Sequence, residues 1–340
     1  MLQITLETPG RFAAADVPIP PAEAGQALVR VHRIGVCGTD LHAFRGRQPF
    51  FSYPRILGHE LGVEVLDPGD EPGALRRGDR CSVEPYLNCG RCIACRRGKP
   101  NCCTELKVLG VHVDGGMRPV FSVPARKLHA SARLTYDQLA LVETLGIGAH
   151  AVERAQLEAA DTVLVVGAGP IGLSVIQFAQ VAGVKLAVMD VSAARLEFCR
   201  RQFGVRHTLP AGAPGREQLL EFGGGDLPTV VIDATGNPAS MAGAFELAAH
   251  GGRIVFVGLF PGDITFQDPN FHRRELTLLA TRNSLPATFR EIIALIEAGR
   301  IDTGPWITHR FGLAETPERF AAVAGDPALI KAMIDVGAPA

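Results

Sequence analysis

The sequence predicts an α/β protein of two domains, one built of short strands and one a doubly wound parallel sheet, on three observations. The chain has 340 residues, more than the roughly 250–300 that one hydrophobic core usually serves. Its first third reads as short strands separated by turns. From about Ile147 it changes to compact apolar runs alternating with helical stretches, as in a parallel sheet covered on both faces.

In the first third, Val29 and Val31 alternate with Arg30 and His32, and Val63 and Val65 flank Glu64. That is the period of a half-buried strand. Asp67-Pro68-Gly69-Asp70 and Arg77-Gly78-Asp79 punctuate such strands as turns, which together suggest a small barrel or sandwich. Further on, Thr162–Val166, Lys185–Asp190, Thr229–Asp233, Arg253–Val257 and Leu276–Thr281 are strand-like runs, and a weaker one at Arg206–Leu209 makes six. Pro170–Ala182 and Ala193–Phe203 read as helices between them, and the glycine-rich Gly212–Gly225 as a loop. Beyond Leu285 come a helix at Arg290–Ala298, then the segment Trp306–Phe311 and a final helix.

Composition narrows the function. With 47% hydrophobic and 20% charged residues, the chain buries sizeable cores and is not disordered. Lys+Arg 34 against Asp+Glu 35 leaves a net charge of -1, no electrostatic footprint for nucleic acid or an anionic membrane. The longest apolar run, Val163–Ile176, is broken by Gly167, Gly169, Pro170 and Gly172, short of the ~18–20 residues of a membrane span. The opening MLQITLETPG has no basic and apolar regions of a secretory signal. A cytoplasmic, soluble protein is expected.

Five of the eight cysteines fall within the fifteen residues from Cys89 to Cys103. The spacing Cys89-x2-Cys92-x2-Cys95-x7-Cys103 lets a tight loop turn four sulfurs toward one point, as a closed tetrahedral structural zinc site requires. Arg91, Arg96, Arg97 and Lys99 are placed to offset the excess negative charge of four thiolates. Cys102 is the spare cysteine, and spacing prefers Cys103. Cys81 and Cys199 read as small apolar core residues. His32, His129, His207 and His250 lack a partner in any motif.

Gly167-Ala168-Gly169-Pro170-Ile171-Gly172 follows a strand and opens a helix, and Asp190 ends the next strand. That context turns a glycine-rich hexapeptide into a dinucleotide fingerprint, with the pyrophosphate at the helix N-terminus and the carboxylate on the adenosine ribose. Asp190 repels a 2′-phosphate, so NAD is favoured over NADP. Arg195 is placed to contact adenine or ribose, and Thr235-Gly236 and Gly258-Leu259 end later strands toward the same crevice.

A second metal candidate is scattered. Gly35-Val36-Cys37-Gly38-Thr39-Asp40-Leu41-His42 and Gly58-His59-Glu60 are followed much later by Val142-Glu143-Thr144. One Cys, one His and a carboxylate close three corners of a zinc site and leave the fourth for water or alcohol. On spacing alone, a structural turn cysteine and a hydrogen-bonded core histidine stand as alternatives.

With the four-cysteine lobe and the fingerprint, in this order along nearly the whole chain, these segments resemble the zinc-dependent medium-chain dehydrogenases, the alcohol dehydrogenase family. Val142–His150 and Thr281-Arg282-Asn283-Ser284 are similar to its polyol, threonine and sugar-acid branch, although Ala43 stands where sorbitol-type enzymes often carry a tyrosine. The resemblance implies a GroES-like catalytic β-barrel over 1–146, a Rossmann NAD-binding domain over 147–285, and a return of 286–340 to the catalytic domain. It implies Cys37 and His59 as catalytic zinc ligands, and Glu60 as a carboxylate that ligates the metal or stands beside it. Glu143 is then a further ligand, or holds the bound water and substrate. Asp40 orients His59, Thr39 and His42 relay the alcohol proton, and Arg282 contacts substrate. Two zinc ions per chain and a homodimer or homotetramer are implied by the same resemblance. The expected reaction moves a hydride from a secondary alcohol of a polyol, sugar or sugar acid to NAD. Threonine or a simple alcohol is the alternative substrate, and a non-catalytic dinucleotide-binding protein the alternative of another class.

Overall fold

A computed structural model describes residues 1–49, 51–69 and 75–337; Asp70, the last residue of the turn read at Asp67, lies outside them. The chain forms two compact units, Met1–Thr144 with Leu285–Ala340, and Leu145–Ser284. Among the described residues no helix is long and apolar enough to cross a membrane.

The first unit is organised on the strand Ala27–Val36, which pairs antiparallel with Glu60–Asp67, Val120–Val123 and Lys331–Asp335. The mixed seven-stranded sheet continues through Arg80–Val83 to Leu128–Ala130 on one side and Ile307–Gly312 on the other. The alternation seen in sequence holds at first: Ala27, Val29 and Val31 are buried while Leu28, Arg30 and His32 are half-buried. A register shift between Val31 and Arg33 then changes the phase, so that Ile34 turns inward and Arg33 stays on the half-buried face. Such a bulge bends a strand and re-aims the residues beyond it, and this strand runs directly into Cys37. The returning segment completes this core, with Phe311, Phe320 and Ile334 packed among Val29, Val31, Leu61 and Val63.

The second unit is a six-stranded parallel sheet in the order His207–Pro210, Lys185–Asp190, Thr162–Val166, Val230–Asp233, Arg253–Phe256 and Thr277–Ala280. Strand order reverses between Thr162–Val166 and Val230–Asp233, which opens a crevice at the carboxyl ends of the strands, where such sheets bind ligands. Gly148 on the helix Tyr136–Ala155 lies against the helix Pro170–Ala182 so closely that a Cβ would fall 2.1 Å from Ser174 Oγ.

One expectation is corrected. Gly212–Gly225 is not a loop but carries the helix Ala213–Gly223. Its glycines are caps: Gly212 is the N-cap, and Gly224 takes the left-handed conformation at the C-cap, where glycine is the usual residue. Between them Leu219 and Phe222, three apart on one face, are buried in the core. Cys81 and Cys199 are fully buried, and burial pushes both thiols up to about 12, inert packing groups as read. Three of the histidines without a motif do have partners: His32 meets Glu64 at 3.1 Å and stacks on Tyr136, His129 meets Glu84 at 3.2 Å and stacks on Phe289, and the His207 ring lies 4.6 Å from that of Phe222.

Candidate active site

The nucleotide crevice arises from three local requirements. Gly167 has φ +96, a conformation that only glycine adopts freely. A Cβ on Gly172 would fall 1.8 Å from the Gly167 carbonyl oxygen, so the helix Pro170–Ala182 starts hard against the end of its strand. Asp190 Oδ2 accepts the Ala168 N–H at 2.6 Å and Oδ1 accepts the Ser192 N–H at 2.7 Å. The acid thus pins the glycine loop while each oxygen keeps a lone pair for a further donor. Arg195 is half-buried, its Nη1 3.4 Å from where a Gly169 Cβ would stand, so it lies over the loop. A cavity of about 570 Å³ opens beside Gly167, Asp190 and Thr235. Thr235 is fixed by the buried Asp233, which accepts its N–H at 2.9 Å and its hydroxyl at 2.6 Å. A Cβ on Gly258 would fall 2.1 Å from Gly236 N, and Leu259 is exposed. Pro170 and Ile171 form the first turn of the helix.

The sulfurs of Cys89, Cys92, Cys95 and Cys103 all lie within 4.8 Å of one another. Backbone N–H groups already point at them: Cys89 N to Cys103 Sγ at 3.3 Å, Cys92 N to Cys89 Sγ at 3.4 Å, Cys95 N to Cys92 Sγ at 3.5 Å. Such donors favour thiolate, and the Cys95 and Thr104 N–H groups bring Cys92 down to about 5. Four convergent, N–H-bonded sulfurs are the donor set of a structural zinc site, and exposed Cys102 stands outside it. The loop cations serve partly otherwise. Arg91 pairs with Glu105 at 3.0 Å, and Arg96 donates to the Arg91 carbonyl.

Cys37 stands at the N-cap of the short helix Gly38–Phe44, held by its N–H to Asp40 Oδ2 at 2.9 Å. His59 is buried. Burial draws its pKa down, but Cys37 and Asp40 push harder, and the result lies well above the ordinary imidazole value. Asp40 does not accept the second ring N–H as the resemblance implies. Its Oδ1 stops 3.8 Å from His59 Nδ1, and both atoms are buried without a hydrogen-bond partner, while Oδ2 caps the helix. Glu143 is also buried, and its Oε1 accepts the Tyr86 hydroxyl at 2.5 Å; burial, with Glu60 adding to it, raises its pKa. Among the described residues only the four-cysteine group brings three or more such donors within 4.8 Å, so Cys37, His59 and Glu143 form a looser set. A thiol, an imidazole and a carboxylate close enough for Cys37 and Glu143 both to act on His59 still suit a divalent cation with a position left open.

Glu60 is differently engaged: its Oε1 and Oε2 accept from Lys331 Nζ at 2.6 and 2.7 Å. Sequence reasoning misses Lys331 and Tyr86. The one signal is a lysine at the head of the apolar run Ala332-Met333-Ile334. Thr39 and His42 share a face of the helix Gly38–Phe44 (i, i+3), Thr39 half-buried and His42 exposed. Arg282 is exposed in the turn after the edge strand Thr277–Ala280, next to Asn283 at φ 51.

Two family descriptions match the chain: an alcohol dehydrogenase GroES-like domain over residues 23–133 and a zinc-binding dehydrogenase over 170–298. The L-galactonate-5-dehydrogenase of Escherichia coli (strain K12) is 42% identical over 326 residues, 94% of each chain. The D-altritol 5-dehydrogenase of Agrobacterium fabrum is 31% identical over 329 residues, 95% of this chain and 96% of that one. Among solved structures, the alcohol dehydrogenase RspB of E. coli CFT073, complexed with NADH, superposes with a TM-score of 0.92 at 31% identity, covering 98% of this chain and 99% of that one.

The sulfur geometry separates the two adjacent cysteines. Cys103→Ser is expected to lower the zinc content of the purified protein by about one ion per chain and to lower thermal stability, while Cys102→Ser changes neither. Atomic emission on desalted protein reads the difference.

Proposed function

Since the chain belongs to the zinc-dependent medium-chain dehydrogenases, we propose that it oxidises a secondary alcohol of a sugar acid or polyol and passes the hydride to NAD. The observation that carries this reading is half-buried Cys37 set with the buried His59 and Glu143. We assign these three residues to the catalytic zinc and Cys89, Cys92, Cys95 and Cys103 to a structural one. When bound, zinc supplies a Lewis acid to the alcohol oxygen and NAD the hydride acceptor.

The chain's own residues do the rest. Asp190 takes the adenosine ribose hydroxyls on the lone pairs that its two backbone bonds leave, and its charge disfavours a 2′-phosphate. The free N–H groups at the start of Pro170–Ala182 receive the pyrophosphate. Thr39 accepts and donates in turn, as a hydroxyl can, so the alcohol proton leaves along the helix face to exposed His42 and then to solvent. Burial and the charges of Arg45 and Arg47 hold the His42 imidazole below its usual 6.5.

The substrate class rests on the relatives named for L-galactonate and D-altritol and on exposed Arg282, whose guanidinium fits a carboxylate in bidentate fashion. Assembly rests on the strand Thr277–Ala280, which among the described residues pairs on one side only and leaves Leu278 38% exposed. An open edge of that kind invites a second copy, and light scattering at two or four chain masses is the expected readout.

NADH absorbance over a panel of aldonates, polyols, L-threonine and short alcohols tests the reading. A polyhydroxylated substrate, L-galactonate first, is expected to exceed short alcohols by at least about 100-fold in kcat/KM, because a site that hydrogen-bonds a substrate's polar groups loses those bonds to an analogue that lacks them. NAD is expected to serve better than NADP. Preference for L-threonine or a short alcohol overturns the substrate class, and cofactor binding with no turnover overturns the enzyme.

The relay has its own pH signature. His42 accepts a proton only when neutral, and its depressed pKa keeps it neutral further into acid. The acidic limb of the kcat profile is therefore expected below pH 6.5. Arg47→Gln removes one depressing charge, so that limb should move to higher pH; a profile that stays put argues against His42 as the exit.

A further inference from the structure

A second cavity, of about 400 Å³, opens within the first unit and shares no residue with the catalytic set or the nucleotide crevice. Asn88 and Pro100 line it from the cysteine lobe, Arg126 and Lys127 from the turn Ala125–Lys127, and Pro286 from the head of the helix Pro286–Glu297. Its size falls in the roughly 300–1,000 Å³ range of small-molecule sites. The lining holds two cations and, among the described residues, no carboxylate. Arg126 is exposed and forms no ion pair or hydrogen bond among the described residues. Lys127 is 2% exposed, yet its ammonium has one acceptor among them, Glu84 Oε1. An ammonium carries three donors, so two are buried without an acceptor, whereas the equally buried Lys331 ammonium meets four.

We propose that this cavity binds the phosphate group of a small organic phosphate, with Arg126 and Lys127 as its cationic walls. A buried donor with no acceptor is rare in a native fold and calls for a partner from outside the chain. The helix works in the same direction: it starts at Pro286 with no side-chain cap and no acidic residue in its first turn, so nothing local offsets its positive end. These donors come from different walls, and the three terminal oxygens of a phosphate can meet all of them, which the two of a carboxylate cannot. The walls are ordered before any ligand arrives. Glu84 Oε2 meets His129 Nε2 at 3.2 Å, and His129 stacks on Phe289 of the same helix, so little freedom is lost on binding. The thiolates of the lobe have donors of their own, the N–H groups of Cys89, Cys92 and Cys95, which leaves Arg126 for a ligand.

Inorganic phosphate is the probe, titrated calorimetrically into protein saturated with NADH, which fills the pyrophosphate end of the nucleotide crevice. One saturable site per chain is expected. Arg126→Ala, a change at an exposed residue, is expected to weaken it about 10-fold or more, with zinc content and the rate of alcohol oxidation as in wild type. Lys127→Met with Glu84→Gln removes both members of the buried pair together, so that no charge is left unpaired, and is expected to weaken phosphate by a similar factor. Acetate is expected to bind more weakly than phosphate. No saturable binding, or binding that both variants leave unchanged (an adventitious ion only), overturns the site. Acetate binding as tightly as phosphate overturns the ligand class. If wild type binds no phosphate and Arg126→Ala loses zinc, the two cations serve the charge of the lobe and the proposal fails.

Discussion

Charge can be buried in this protein only where an opposite charge or hydrogen-bond donors are brought to it, and much of the first unit's architecture serves that condition. Cys37, Asp40, His59, Glu60 and Glu143 gather in one place, and all but half-buried Cys37 are buried. Lys331 is the one lysine or arginine among the described residues whose side chain reaches Glu60 there. Its own pKa shows the balance: burial depresses it, but Glu60 and Cys37 raise it further, and the net direction is up. Breaking such a buried pair by removing one partner typically costs about 3–5 kcal/mol. The lysine reaches the site because the chain, after building the second unit, returns to add Lys331–Asp335 beside Ala27–Val36. The return is thus part of the site's chemistry as well as of its core.

What could be read from sequence was what is local. The four cysteines and the fingerprint lie within short spans, so spacing alone restricts their geometry, and the structure brings the four sulfurs together. Cys37, His59 and Glu143 are far apart along the chain, and only the order of motifs along a known family singles them out. Lys331 and Tyr86 escape even that, because their meaning lies in strand register and in which face of a sheet they occupy. The segment Gly212–Gly225 shows a limit of a different kind. Glycine counts alike whether it breaks an element or caps it, and here the apolar pair Leu219 and Phe222 decides for a helix.

The nucleotide crevice solves a simpler problem than the metal site. Asp190 is held by two backbone N–H groups before any ligand arrives, so its carboxylate is already ordered and the Gly167 turn already set. Little side-chain entropy is then lost on binding, which favours affinity without new contacts. The buried Asp233, which accepts from Thr235 and, at 2.5 Å, from the Ser240 hydroxyl, prepares the neighbouring strand end in the same way.

The two metal candidates differ in what surrounds the charge, and that difference explains their ligands. Four thiolates around a divalent ion carry a formal excess of two negative charges. The lobe tolerates it because three of its cysteines are half-exposed and N–H donors face the sulfurs. A deep site has no such relief, since water is excluded and an unpaired charge is expensive to bury. In the proposed assignment one thiolate and the Glu143 carboxylate would neutralise a divalent ion there, and Glu60 would make the sum negative. A negative centre is a poorer Lewis acid, so the cation that cancels Glu60 has to come from the protein and has to stay. The buried Lys331 ammonium, bonded to Glu60 and to the neighbours of Cys37 and Glu143, meets that requirement.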